Sequence, residues 1–176
     1  MSYKNENMKM IELHENGLDI QFRIRENGVV ELADFSSQEV KKAVMEPKED
    51  ICYPAVEIHR SGTGSLNMHA YKNNINQSSV DFVYENHELK AQAGGKELEI
   101  VMISPEKLKA VYHMRLFDGV PAVQTWTEII NEGSEDQGLT YVSSFMYQGI
   151  SRGGEKPYYK KTDIYVPFNS WCCEAQ

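Results

Sequence analysis

Apolar and polar residues alternate with a period of two along much of this chain, and turn-forming pairs interrupt the alternation at short intervals. That pattern predicts half-buried antiparallel strands. Leu18, Ile20, Phe22 and Ile24 fall on one face of the first clear strand, with Asp19, Gln21, Arg23 and Arg25 on the other, so one side is expected to be buried and the other wet. Asn16-Gly17 precedes it and Asn27-Gly28 follows it. Both pairs accept the positive φ of tight hairpin turns, so Met10 to Glu15, the strand itself and Val29 to Ala33 read as a three-stranded meander.

The second half repeats the pattern. Glu88 to Ala93 leads through Gly94-Gly95 into Glu97 to Ile103. Leu108, Ala110, Tyr112, Met114 and Leu116 then alternate with Lys109, His113 and Arg115, reach Asp118-Gly119 and return as Pro121 to Asn131, the clearest hairpin in the chain. After a polar loop at 132–138, Leu139 to Gln148 reads as a further long strand. One segment breaks the pattern: Ser36 and Glu39 have capping-box spacing, and Phe35 with Val40 has the spacing of a hydrophobic staple. These predict a short helix over Ser37 to Val44, against the alternative that the preceding strand simply continues. About ten strands without a long amphipathic helix predict an all-β antiparallel sandwich. No fixed-period repeat or linker-like tract divides residues 1–176, which are expected to form a single domain.

Charge and length narrow the function classes. With 18 Lys and Arg against 26 Asp and Glu, the net charge is −8, and no basic stripe is present, so nucleic acid and anionic membrane are not expected partners. The longest uncharged stretch, Gln137 to Ser151, is studded with Ser, Thr and Gln and falls short of the roughly 18 apolar residues of a membrane span. The first ten residues lack an apolar signal core, and Cys52, Cys172 and Cys173 form no CxxC pair. A reduced, cytoplasmic setting follows as the expectation, against the alternative that a signal segment has been removed. At 176 residues the chain is long enough for a core and too short for a complete barrel enzyme of about 250 residues.

Chemically suggestive motifs are sparse. Gly149-Ile150-Ser151-Arg152-Gly153 matches G-x-S-x-G, but the helix that a nucleophile elbow requires does not follow it, so a surface turn is expected. Asn76-Gln77-Ser78 matches a glycosylation sequon and reads as a chance match. His14, His59, His69, His87 and His113 are scattered without ligand spacing; His59 and His69 flank the Gly62-Thr63-Gly64 turn, but no metal and no cofactor are predicted. Among ten Tyr, six Phe and two Trp, Trp126 shares a face with Glu128 and Ile130, and Tyr141, Phe145 and Tyr147 share another. Such rings on paired strands normally fill a sandwich core. Trp171, beyond the last clear strand, is a candidate for packing against something outside the chain. No pair of the 26 acids can be singled out for acid/base chemistry from spacing alone.

The wording of three segments is familiar. Phe117-Asp118-Gly119-Val120-Pro121-Ala122-Val123-Gln124-Thr125-Trp126-Thr127-Glu128, continuing through Asn131-Glu132-Gly133 to Gly138-Leu139-Thr140-Tyr141-Val142-Ser143-Ser144-Phe145, resembles the N-terminal domain of α-galactosidases of glycoside hydrolase family 36. Asn169-Ser170-Trp171-Cys172-Cys173-Glu174-Ala175-Gln176 resembles the stretch leading from that domain toward the catalytic barrel, and Leu32 to Ser36 and Tyr53 to Ile58 fit the family more loosely.

The resemblance implies a large twisted β-sandwich of the supersandwich, galactose-mutarotase-like type, with residues 167–176 opening the linker toward the barrel. It places both catalytic aspartates on that barrel, so it carries no catalytic residue onto residues 1–176, and the retaining mechanism belongs to the barrel. It implies a domain that braces the barrel and supports a homo-oligomer hydrolysing terminal α-linked galactose. On that reading Arg60, Asn67 and His69, in the polar stretch Arg60 to Asn74, are candidates for the rim of a galactoside pocket. Asn169 and Trp171 are candidates for the barrel interface. Two rival expectations stand beside it: a free-standing carbohydrate-binding sandwich with Trp126 or the tyrosines as a stacking platform, and an aldose-epimerase-like enzyme, which needs a histidine and an acid converging on one groove.

Overall fold

A computed structural model describes residues 9–37, 52–64 and 77–147. In chain order the elements are β1 (Lys9–Glu15), β2 (Leu18–Ile24), β3 (Val30–Ser37), β4 (Ile58–Arg60), the one-turn helix α1 (Gln77–Val80), β5 (Val83–Gln92), β6 (Gly95–Ile103), β7 (Leu108–Phe117), β8 (Val120–Asn131) and β9 (Leu139–Val142). They form antiparallel sheets in the orders β1-β2-β3 and β5-β6-β7-β8, with a β4-β9 pair beside them. The fold is an all-β antiparallel sandwich, as the alternation predicts. No helix among the described residues is long and apolar enough to cross a membrane.

One continuous core joins the two larger sheets. Ile20 and Phe22 of β2 and Leu32 of β3 meet Leu98 and Ile100 of β6 and Tyr112 and Met114 of β7 in a single buried cluster. At its centre the wholly buried rings of Phe22 and Tyr112 pack edge to face, 5.7 Å between centroids and 64° between planes, the arrangement that aromatic quadrupoles favour. The two ends of the sandwich are tied by turns. Asn16 Oδ1 in the β1–β2 turn accepts from Gly119 N in the β7–β8 turn at 3.0 Å, and Gly28 O in the β2–β3 turn accepts from Tyr84 N at 2.8 Å. Gly95 is required at the start of β6 because a Cβ there would lie 1.9 Å from the carbonyl oxygen of Leu116.

Four expectations need correction. β3 continues through Ser37, and Ser36 donates its hydroxyl to Asp34 Oδ2 at 2.7 Å instead of capping a helix; the rest of the Ser37 to Val44 segment lies outside the described residues. The strand before Gly94-Gly95 begins at Val83, not Glu88, because a bulge between Tyr84 and Asn86 keeps it paired with β6 despite a broken alternation. The strand expected over Leu139 to Gln148 ends at Val142 and pairs with β4. Its ladder stops at Ser143, whose N–H still donates to Glu57 O but whose side-chain Oγ, not its carbonyl, accepts from Glu57 N, at 2.8 Å each.

The fourth concerns the outer side of the first sheet, which is wet along β1 and partly so at Asp19 and Gln21 but dry around Arg23 and Glu31. Arg23 and Glu31, direct register partners on β2 and β3, are 5% and 3% exposed. Arg23 Nε and Nη2 donate to Glu31 Oε2, while Arg25 Nη1 and Tyr53 N donate to Oε1. Residues 53–55 run beside β3, with Ala55 N donating to Val30 O at 2.7 Å.

Removing the central ring is expected to dominate stability. Phe22→Ala should cost about 3–5 kcal/mol by lost burial and an unfilled cavity. Val120→Ala, at a site 48% exposed, should stay within about 0.5 kcal/mol. Urea unfolding followed by tryptophan fluorescence measures both.

Candidate functional site

Alternation along β7 turns Lys109, Val111, His113 and Arg115 away from the core. Of these His113 is nonetheless 8% exposed. Its cross-strand neighbours explain the burial: register sets Glu99 of β6 on one side and Trp126 of β8 on the other. The indole of Trp126 lies flat against the imidazole, 4.6 Å between centroids and 6° between planes. Stacking fixes the ring plane and therefore the direction of both ring nitrogens.

Carboxylates stand at both of those nitrogens. Glu97 Oε1 lies 2.9 Å from His113 Nδ1 and Glu99 Oε1 lies 4.0 Å from it, while Glu128 Oε2 is 3.7 Å from Nε2. Lys90 Nζ binds Glu99 Oε2 at 2.5 Å and lies 3.8 Å from Glu88. The hydrogen bond to Glu99 holds the Lys90 ammonium above its ordinary pKa. Three strands thus deliver one imidazole and three carboxylates, and Trp126, Gln124 and Glu128 alternate outward along the fourth strand edge. This constellation offers ligand atoms to a cation, and the indole can stack on an apolar ring face.

The expectation that these aromatics fill the core is overturned for Trp126, Tyr141 and Phe145, while Tyr147 packs against the core cluster. Trp126 is half-buried on the outer face, Tyr141 is 51% and Phe145 39% exposed, and Tyr147 is partly buried. Phe145 and Tyr147 pack edgewise on Phe35 at 5.4 and 6.3 Å, and the Tyr147 hydroxyl donates to Asp34 Oδ1. For Phe145 and Tyr147 the physical reason is the short β9, which ends before them; Trp126 shares its strand face with the outward-turned Gln124 and Glu128.

The structure places Arg60 inside the fold, 8% exposed, with Nη2 3.0 Å from Asp81 and Nη1 2.7 Å from Glu106. The guanidinium therefore ties β4 to the turns before β5 and β7. Asn67 and His69, the other two rim candidates, lie outside the described residues, as do Asn169 and Trp171, the G-x-S-x-G motif, and Cys172 with Cys173. His59 is not brought to any other histidine among the described residues; its Nε2 lies 3.0 Å from Glu57 Oε1 and its ring 5.1 Å from Tyr141. In the sequon, Ser78 is wholly buried and donates its hydroxyl to Ile58 O.

Glu97, Glu99 and Glu128 had no sequence signal of their own. Parity along the strands puts them on the same side as His113, but only the register brings them together. A search among models of protein families and among curated proteins matches nothing to this chain.

Cys52, the free cysteine among the described residues, borders the Arg23–Glu31–Arg25 cluster. Burial first, and then the Glu31 carboxylate, pushes its thiol up to about 12, with Arg25 opposing. The thiolate is the reactive form. Alkylation of native Cys52 by iodoacetamide at pH 8 is expected to run at least about 100-fold slower than that of an unperturbed thiol. Peptide mapping by mass spectrometry before and after unfolding in urea checks this.

Proposed function

We propose that this chain is the non-catalytic N-terminal β-domain of a family 36 α-galactosidase, bracing the catalytic barrel and contributing to an oligomer. The parent enzyme hydrolyses terminal α-linked galactose. Two things support the reading independently of one another: the resemblance carried by Phe117 to Phe145 and Asn169 to Gln176, and an all-β sandwich of the expected class.

The observation that carries it furthest is the placement of exposed apolar residues. Among the described residues the exposed large hydrophobics are Leu89, Val120, Ile130, Leu139, Tyr141 and Phe145. All but Leu89 fall inside the Phe117 to Phe145 run. Leu139 and Tyr141, on the same side of β9, form the pair of exposed apolar side chains that a covering body would bury. A bracing domain needs such a face and needs no catalytic residue of its own.

A free-standing carbohydrate-binding sandwich is the competing reading, and one observation favours it: Trp126 lies on the outer face with Gln124 and Glu128 beside it on β8.

The isolated chain is expected to give no turnover of a chromogenic α-galactoside and no heat on calorimetric titration with galactose. Turnover above background overturns the bracing role, and galactose binding favours the rival. The positive arm uses the intact enzyme encoded by the gene. Leu139→Ser with Tyr141→Ser should leave the unfolding free energy of the isolated chain within about 1 kcal/mol, as for exposed sites, and should lower the Tm of the intact protein by several degrees. An intact reading frame without a catalytic barrel defeats the proposal outright.

A further inference from the structure

We propose that Glu97, Glu99 and His113 form a divalent-metal site on the outer face of the four-stranded sheet, and that zinc is the cation it suits best. The site is independent of the bracing role.

The geometry is close to what a small tetrahedral ion requires. One ligand atom from each of the three residues lies within 4.8 Å of the other two. Zinc bonds of 2.0–2.2 Å set neighbouring ligands roughly 3.3–3.5 Å apart on a tetrahedron. The separations from Nδ1, 2.9 Å to Glu97 Oε1 and 4.0 Å to Glu99 Oε1, bracket that value. Shifts of less than about an ångström therefore close the site. A mixed imidazole and carboxylate donor set favours zinc over magnesium or calcium, which prefer all-oxygen cages.

A second observation concerns the far side of the ring. His113 Nε2 is buried and has no hydrogen-bond partner, yet it faces the Glu128 carboxylate at 3.7 Å. With a neutral ring donating from Nδ1 to Glu97, Nε2 turns a lone pair toward a carboxylate, which is repulsive. A metal on Nδ1 takes the Nδ1 lone pair, so the single ring proton moves to Nε2 and is turned toward Glu128. This is the carboxylate–histidine–metal arrangement by which protein sites orient a ligating imidazole.

The surroundings complete the site. Trp126 holds the ring plane by stacking, so little ordering is left for binding to impose. Lys90 binds Glu99 through Oε2 and leaves Oε1 toward the imidazole. The side chains of His113, Glu97 and Glu99 are 10%, 12% and 21% exposed, shielded but reachable from solvent.

Calorimetric titration of the whole chain with zinc chloride at neutral pH tests the proposal, with circular dichroism confirming that each variant is folded. One equivalent should bind. Glu97→Gln and Glu99→Gln should each lose that equivalent, and Glu128→Gln should weaken it about 10-fold or more, the usual cost of removing an outer partner. Glu88→Gln, on the same acidic face and 69% exposed, should bind as the parent does. The proposal is overturned if zinc gives no isotherm or if the equivalent survives in both Glu97→Gln and Glu99→Gln, which would place it elsewhere. It is equally overturned if Glu88→Gln loses as much as they do, which would make the effect general attraction to an acidic surface.

Discussion

The edge-to-face contact between Phe22 and Tyr112 is the constraint on which the remaining architecture depends. It fixes which face of β2 meets which face of β7, and strand alternation then assigns every other side chain on those strands. Because Tyr112 points inward, His113 must point outward, and because Phe22 points inward, Arg23 must lie on the opposite side of its sheet. The two chemically distinctive clusters of the molecule are thus consequences of one aromatic pair. A register slip of one residue would bury the charges and expose the rings.

How much was legible follows from which quantity each feature needs. Alternation and turn pairs need only local sequence, so the β1–β2–β3 meander and the β6, β7 and β8 strands are readable directly. The His113 cluster needs register, and that is not local. Extending the turn pairing Phe117–Val120 along β8 would set Trp126 opposite Val111. The irregularity between Leu116 and Phe117 shifts the pairing, and Trp126 meets His113 instead. β9 stops short for a different reason: its apolar residues continue past Val142, but at Ser143 the hydroxyl takes the Glu57 N–H that the ladder would give to the carbonyl, and that carbonyl accepts from Thr127 instead.

Burial of Arg23 and Glu31 shows the same limit from the other side. Charged residues on a strand's polar face are expected to meet water, and an ion removed from water without compensation is costly. Here both oxygens of Glu31 are engaged, one by Arg23 and the other by Arg25 and the Tyr53 amide. The cluster is kept dry because its hydrogen bonds are filled. Beside it, burial first and then the Glu31 carboxylate hold the Cys52 thiol protonated.

The outer face of the second sheet lacks that closure, and the difference separates a structural ion cluster from a binding one. Around Glu31 the strong donors converge on one carboxylate. Around His113 three carboxylates converge on one imidazole, and among them Lys90 contributes the nearby ammonium, bound to Glu99. An excess of acceptors around a ring with an orphaned nitrogen suits an added metal ion. Arg60 shows the opposite balance, with one guanidinium held between Asp81 and Glu106, which is why it reads as a tie between loops. In this fold the position of a charge in the strand alternation says which face it occupies, and the ratio of donors to acceptors around it says whether that face is finished.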